Sequence, residues 1–237
     1  MPSFSFTWFG HGTFLFKSPH GVRILIDPWI ATNPACPDAV KEDVRKMTAL
    51  DLMLLTHGHD DHTADAVAVA RATRARVVAP YELALWLQQK GLQEVTGMNP
   101  GGTVSALGLA VTMVPAVHSS SIVEDGRTLN LGIPAGYVIR FEDGLTIYFA
   151  GDTAIFGDMR LIADLYHPTI AFLPIGDFYT MGPDQAAMAC SLLGVKQVVP
   201  MHYGTFPVLT GTPAALRALV EPRGVQVLEL KPGETAG

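Results

Sequence analysis

Thr56-His57-Gly58-His59-Asp60-Asp61-His62, directly after the apolar segment Leu52-Met53-Leu54-Leu55, decides the reading of this chain. Three imidazoles and two carboxylates fall within seven residues, although the whole chain of 237 residues holds only 8 histidines. These side chains are the ligands that suit zinc and its first-row neighbours. His57 and His59 are two apart, so in an extended segment they point to the same side. Asp61 and His62 follow at a turn into a helix expected over 63–73. Two ligands therefore leave a strand end and two a helix start. A solvated loop, or a lone N-cap at Asp61, needs one polar residue and does not account for three histidines. Four side chains cannot complete two metal shells, so a metal reading demands further ligands at other strand ends.

The chain supplies three candidates. His118 ends the apolar run Leu109-Ala110-Val111-Thr112-Met113-Val114-Pro115-Ala116-Val117. Asp152 follows Leu145-Thr146-Ile147-Tyr148-Phe149-Ala150 and a glycine, and His202 follows Gln197-Val198-Val199-Pro200-Met201. Each stands where an apolar strand pattern stops. Ligand and catalytic residues gather there because the strand is rigid and the loop gives access. Taken singly, His118 reads as a structural histidine and Asp152 as a turn residue or cap. Their shared position with the 56–62 run reverses that reading.

The order His57, His59, Asp61, His62, His118, Asp152, His202 resembles the metallo-β-lactamase fold superfamily over nearly the whole chain. Finer features resemble a branch of bacterial metal-dependent hydrolases related to the ascorbate-6-phosphate lactonases. These are Gly10-His11-Gly12, His118-Ser119-Ser120, the stretch from Leu173 through Phe178-Tyr179-Thr180-Met181-Gly182-Pro183, and Pro200-Met201-His202-Tyr203-Gly204-Thr205. That branch commonly has Asn where Gly204 stands and Asn-Phe where Phe178-Tyr179 stand; the ligand positions are untouched. The resemblance implies a four-layer αββα sandwich with two mixed sheets, an α/β (α+β) fold. It assigns His57, His59 and His118 to one divalent ion, Asp61, His62 and His202 to a second, and Asp152 as a bridge. Zinc is the expected metal, with manganese, nickel or iron fitting the same ligands. The implied reaction is hydrolysis of an ester, lactone or phosphodiester by water activated at the metal pair. Asp61 would orient the nucleophile while it ligates. His11 would bind an anionic group or donate a proton to the leaving group, and Asp27 would support the ligand loop from behind. Thr180, Tyr203 and Thr205 are loop hydroxyls beside the expected site, each open to substrate contact or to loop hydrogen bonding.

Composition bounds these expectations. Hydrophobic residues make up 49% and charged residues 16%, which predicts a large dry core in a single domain over 1–237. The net charge of -6 gives no electrostatic support for nucleic-acid binding and leaves a small molecule as the expected partner. Cys36 and Cys190 form no disulfide framework; Cys36 is expected in an exposed loop and Cys190 in the core. No basic n-region opens the chain and no apolar stretch of about 18 residues occurs, so a cytoplasmic enzyme off the membrane is expected. Oligomerisation is left open.

Strand patterns occupy 4–9, 13–17, 22–26, 52–55, 76–79, 103–118, 137–141, 145–150, 170–174, 197–200 and 225–230. Helical patterns occupy 63–73, 81–90, 158–166, 183–193 and 213–220. Residues 30–49 and 119–135 read as long loops and 231–237 as a frayed tail. Two rivals remain: a nuclease or RNA-processing enzyme of the same fold, and a metal-binding protein without catalysis.

Overall fold

β-branched, aromatic and leucine-rich segments form the strands of the computed structural model, which describes residues 3–237. In chain order the elements are β1 (Ser5–Gly10), β2 (Thr13–Lys17), β3 (Arg23–Ile26), α1 (Asp38–Arg45), β4 (Leu52–Leu54), α2 (Asp60–Thr63), α3 (Ala66–Thr73), β5 (Arg76–Pro80), α4 (Tyr81–Gln89) and β6 (Val95–Met98). There follow β7 (Thr103–Ala106), β8 (Leu109–Pro115), β9 (Ser121–Glu124), β10 (Arg127–Asn130), β11 (Ala135–Arg140), β12 (Thr146–Phe149), α5 (Met159–Tyr166), β13 (Ile170–Pro174) and α6 (Pro183–Leu193). The chain closes with β14 (Gln197–Met201), α7 (Pro213–Val220), a 3-10 turn (Glu221–Arg223), β15 (Gln226–Val227) and β16 (Thr235–Ala236). Two compact units result. The second takes Pro100–His118 and Ala135–Leu230; the first takes the described residues up to Asn99 with Ser119–Pro134 and Lys231–Gly237.

The first unit holds a seven-stranded mixed sheet, ordered β16-β1-β2-β3-β4-β5-β6. Pairing is antiparallel from β16 to β3 and parallel from β3 to β6. Helices α3 and α4 cover one face: Ala66, Val69, Ala70, Leu83, Trp86 and Leu87 bury against Leu25, Met53, Leu55, Val77 and Ala79. The opposite face is equally dry, with Phe6, Phe14, Phe16, Ile24, Ile26, Leu52 and Leu54 all buried. Strands dry on both faces explain the near-continuous apolar runs of β3, β4 and β5.

The second unit repeats the plan with a seven-stranded sheet ordered β15-β14-β13-β12-β11-β8-β7. Helices α5, α6 and α7 bury Met159, Ile162, Ala186, Cys190, Leu193, Leu216 and Val220 against Val138, Tyr148, Ala171, Leu173 and Val198. Pro183 and Pro213 open α6 and α7 at the position where a missing N–H costs nothing, and Thr212 caps α7 by accepting from Ala215 N.

The mixed α/β class is therefore as read from the sequence, with five local corrections. Residues 30–49 contain helix α1, whose Val44 is buried. Residues 119–135 are not a loop throughout: β9 and β10 form a hairpin about Asp125-Gly126, both at positive φ. The segment expected as one helix over 63–73 begins with the short turn α2 and restarts at Ala66. The expected frayed tail adds strand β16 to the edge of β1. Cys36 is 4% exposed rather than on an open loop, and burial raises its thiol to about 11. Trp8, Trp29 and Trp86 are buried.

Candidate metal centre

In the first unit the site residues share one sheet edge. Phe14 pairs with Ile26 and Ile26 with Leu54, so the β1–β2 turn, the end of β3 and the end of β4 line up. His11 sits in that turn, Asp27 follows β3, and residues 56–62 follow β4. His11 and Asp27 both hold φ near +50°, at 55° and 48°. Non-glycine residues pay of order 1–3 kcal/mol for such conformations, which cluster at functional sites. The surroundings fix them: Asp27 N donates to Leu54 O at 3.1 Å, and Thr13 Oγ1 donates to Asp27 O at 2.6 Å. Trp8 Nε1 donates to His11 O at 2.9 Å.

Asp27 is the hub. Its carboxylate accepts from Thr56 N at 2.8 Å and from Thr56 Oγ1 at 2.6 Å. The same Oδ2 lies 2.8 Å from His62 Nδ1, with both side chains fully buried. Thr56 Oγ1 spends its proton on Asp27, so its 2.9 Å contact with His57 Nδ1 makes that nitrogen the donor. One carboxylate thus sets the tautomers of two imidazoles and leaves the Nε2 lone pairs of His57 and His62 outward. Carboxylate–imidazole pairs of this kind orient metal ligands. Burial pushes the Asp27 carboxyl up, against the opposing pull of His62 and Thr56.

The presented atoms converge. His57 Nε2 lies 3.0 Å from His59 Nδ1, and His59 Nε2 lies 3.3 Å from Ser119 Oγ. Asp61 Oδ2 lies 3.0 Å from His11 Nε2 and 4.0 Å from His62 Nε2. Two ligand atoms held about 2.0–2.1 Å from one tetrahedral ion are about 3.3 Å apart, close to the 3.0 Å between His57 Nε2 and His59 Nδ1. Gly12 makes room for this: a Cβ there would lie 2.7 Å from His62 Cε1. The backbone N–H of Gly58 donates to Ser120 Oγ at 3.1 Å, and a Cβ on Gly58 would meet Leu131 at 2.7 Å. Asp60, also in the run, is exposed.

In the second unit the ends of β8, β12, β13 and β14 form the corresponding edge, with Phe149 paired to Phe172 and Pro174 to Met201. Asp152 Oδ2 lies 3.6 Å from His118 Nε2 and 3.0 Å from His202 Nε2. Asp152 and His202 are 3% and 1% exposed. The His118 loop is clamped to the Asp152 loop: Val117 N donates to Thr153 Oγ1 at 2.9 Å, and Ala154 N donates to Val117 O at 3.0 Å. His202 has φ 56°, a third site residue in the left-handed region. Its carbonyl presses on Gly176, where a Cβ would lie 2.0 Å away. The donor sets of both units, nitrogen- and carboxylate-rich and buried or half-buried, fit divalent first-row metals.

Thr180, Tyr203 and Thr205 lie in this unit's loops. Thr180 Oγ1 reaches Met181 O, and Thr205 Oγ1 reaches Tyr203 O, both at 3.5 Å. Tyr203 packs beside the helical core, and its burial, with Glu229 nearby, pushes the phenol up. Sequence reasoning missed Thr56, Ser119 and Ser120. Thr56 was visible only as a polar residue adjoining a histidine-bearing strand end, and Ser119 and Ser120 only as part of the His118-Ser119-Ser120 step.

A buried carboxylate aligning two imidazoles, within two sheets whose edges carry His and Asp, defines a metallohydrolase-like class. The profile of the β-lactamase superfamily domain matches residues 22–203, a span that holds all seven expected ligands and leaves His11 outside. A UPF0173 metal-dependent hydrolase of Koribacter versatilis (strain Ellin345) is 51% identical over 97% of this chain and 96% of its own. One from Methanopyrus kandleri is 45% identical over 97% of each. Among solved structures, the metallo hydrolase Igni18 of the hyperthermophilic archaeon Ignicoccus hospitalis KIN4/I superposes with a TM-score of 0.87 at 40% identity, covering 98% of this chain and 97% of that one. The chain belongs to the β-lactamase superfamily and, within it, to the UPF0173 metal-dependent hydrolases.

Proposed function

We propose that the chain hydrolyses an ester, lactone or phosphodiester of a small, anionic metabolite with the help of two divalent ions, zinc foremost. The proposed ligands are His57, His59, Asp61, His62, His118, Asp152 and His202, with Asp152 shared. The observation that supports this reading best is the Asp27 hub, which directs the Nε2 atoms of His57 and His62 away from their hydrogen-bonded Nδ1 atoms. Bound, the ions would bring the pKa of a coordinated water toward about 7 and polarise the electrophile's oxygen.

The chain's own residues do the remaining work. Asp27 and Thr56 keep two imidazole rings from turning. Asp61, the more exposed partner of the Asp61–His11 pair at 27% against 0%, orients the attacking water through the oxygen that faces His11. His11 Nε2, 3.0 Å from Asp61 Oδ2, would take up through Asp61 the proton that the attacking water gives up and pass it to the departing oxygen. Trp29 stands edge-on to the His11 ring at 5.1 Å and keeps bulk water from it.

The test is a panel of lactones, phosphodiesters and thioesters assayed with protein loaded in turn with zinc, manganese, nickel and iron. Chelator-sensitive turnover of at least one class is expected, with turnover and metal content falling together in His202→Ala. Silence across the panel in every loaded form would overturn the catalytic reading in favour of a metal-binding protein.

A further inference from the structure

Resting on the hydrolase reading, we propose that Phe178 and Tyr179 form a stacking platform for an aromatic group of the substrate. The loop that carries them leaves β13, the strand between β12, which leads to Asp152, and β14, which leads to His202. It therefore emerges between those two residues along the sheet edge. Its frame is tied down on both sides. Gly176 lies against the His202 carbonyl, Gly211 N donates to Gly176 O at 3.2 Å, and Met181 N donates to Thr153 O at 3.1 Å. Asp177 N donates to Met181 O at 3.0 Å, and Asp177 Oδ1 accepts from Phe178 N at 2.8 Å.

On this fixed frame stand two large apolar side chains in the open. Phe178 is 68% exposed and Tyr179 is 55% exposed. Among the described residues Phe178 is the one phenylalanine classed as exposed. Asp177 and Phe178 hold consecutive left-handed conformations, with φ 66° and 60°. A bulky residue is strained there, and no burial of its ring offsets the strain. Strain held by a surrounding hydrogen-bond frame marks functional segments. The two rings meet at right angles, 4.7 Å apart and 87° inclined. An edge-to-face pair leaves ring faces open, and a third aromatic ring can pack against one of them in the offset-stacked or edge-to-face arrangement that aromatic pairs prefer. The loop's backbone ties to Thr153, next to Asp152, and to the His202 carbonyl favour the substrate, rather than a protein partner, as its occupant. The class of substrate is then an aryl ester, aryl-bearing lactone or aryl phosphodiester.

The experiment compares phenylphosphonate with methylphosphonate, which share the charged head and resist hydrolysis, by calorimetry on the metal-loaded protein. Wild type should bind the phenyl compound about tenfold more tightly. In Phe178→Ala/Tyr179→Ala the preference should shrink to within about twofold, with metal content and melting temperature unchanged, since both side chains are exposed. Tyr179→Phe should retain the preference. No preference in wild type, or a preference that survives in the double alanine variant, overturns the platform. So does a change of oligomeric state in that variant by sedimentation, which would assign the pair to a contact between copies. The binding readout needs no turnover. A silent substrate panel with an intact phenyl preference fails the hydrolase reading alone, and turnover with no preference fails the platform alone.

Discussion

Asp27 is the residue on which the first unit's chemistry turns. It ends a strand, holds an unfavourable backbone angle, and serves Thr56 twice and His62 once. Asp27→Ala should leave these donors without an acceptor and lower metal affinity by about 10- to 100-fold. Competition with a chromophoric chelator measures it, and unchanged affinity would count against the hub. Thr56→Val keeps the side chain's shape and removes only the link to His57 and one bond to Asp27. A stability loss of about 1–3 kcal/mol is expected in denaturant titration, with weaker metal retention. The cysteines carry a pH signature of their own. Burial raises Cys36 from 9.0 to about 11 and Cys190 from 9.0 to about 12. A raised thiol pKa favours folding below the unfolded value, and that contribution drains as pH climbs from about 9 through the folded values. Melting temperature should fall over that range, less so in Cys36→Ala. Asp27 was legible through the resemblance, which puts a supporting carboxylate after Ile24-Leu25-Ile26; a residue before Pro28 otherwise reads as part of a turn. Thr56 was not, since a threonine hydroxyl before a histidine has many ordinary partners and its bridging role exists only once β3 and β4 pair.

At the scale of elements, the glycines between strands and loops carry the close approaches. A Cβ at Gly12 would reach the His62 ring, and one at Gly211 would lie 1.7 Å from Ile175 O. Gly211→Ala must move backbone, so a loss of about 3 kcal/mol is expected, or about 6–12 °C in a chain of this size. Gly12→Ala should instead displace a flexible ring and deplete metal with a smaller change in melting temperature. Equal melting losses with full metal occupancy in both variants would contradict this division. Helices and most strands were legible because their periodicity is strong: β2, β13, α6 and α7 fall where the pattern put them. The hairpin of β9 and β10 was not, since it gives only the cross-strand pair Ile122 and Leu129 to the core; Asp125-Gly126 was the available turn signal. Helix α1 hid in a proline-bounded, charged stretch with one buried residue, Val44. Strand β16 is two residues long and exists only through its pairing with β1.

Across the whole molecule, the two units use one design: a mixed seven-stranded sheet, helices on a face, and histidines with carboxylates at the edge where strands end. That edge is where rigid strands hand over to loops, so ligands there are held firmly and remain reachable. The α/β class was legible in the strand and helix patterns, and the seven ligand candidates because the 56–62 run demanded partners and the strand ends offered them. The substrate was not legible, since the segments flanking the site show no motif of their own. Among the described residues no helix is long and apolar enough to cross a membrane. Everything proposed for activity depends on ions being held by these side chains. Elemental analysis of folded protein, purified without chelator or added metal and then dialysed with zinc, is the most direct measurement. The account predicts about two divalent ions per chain, with a loss of ions in Asp152→Ala that leaves the helical and sheet content intact. Folded protein that retains no divalent ion after exposure to zinc, manganese, nickel and iron would contradict it.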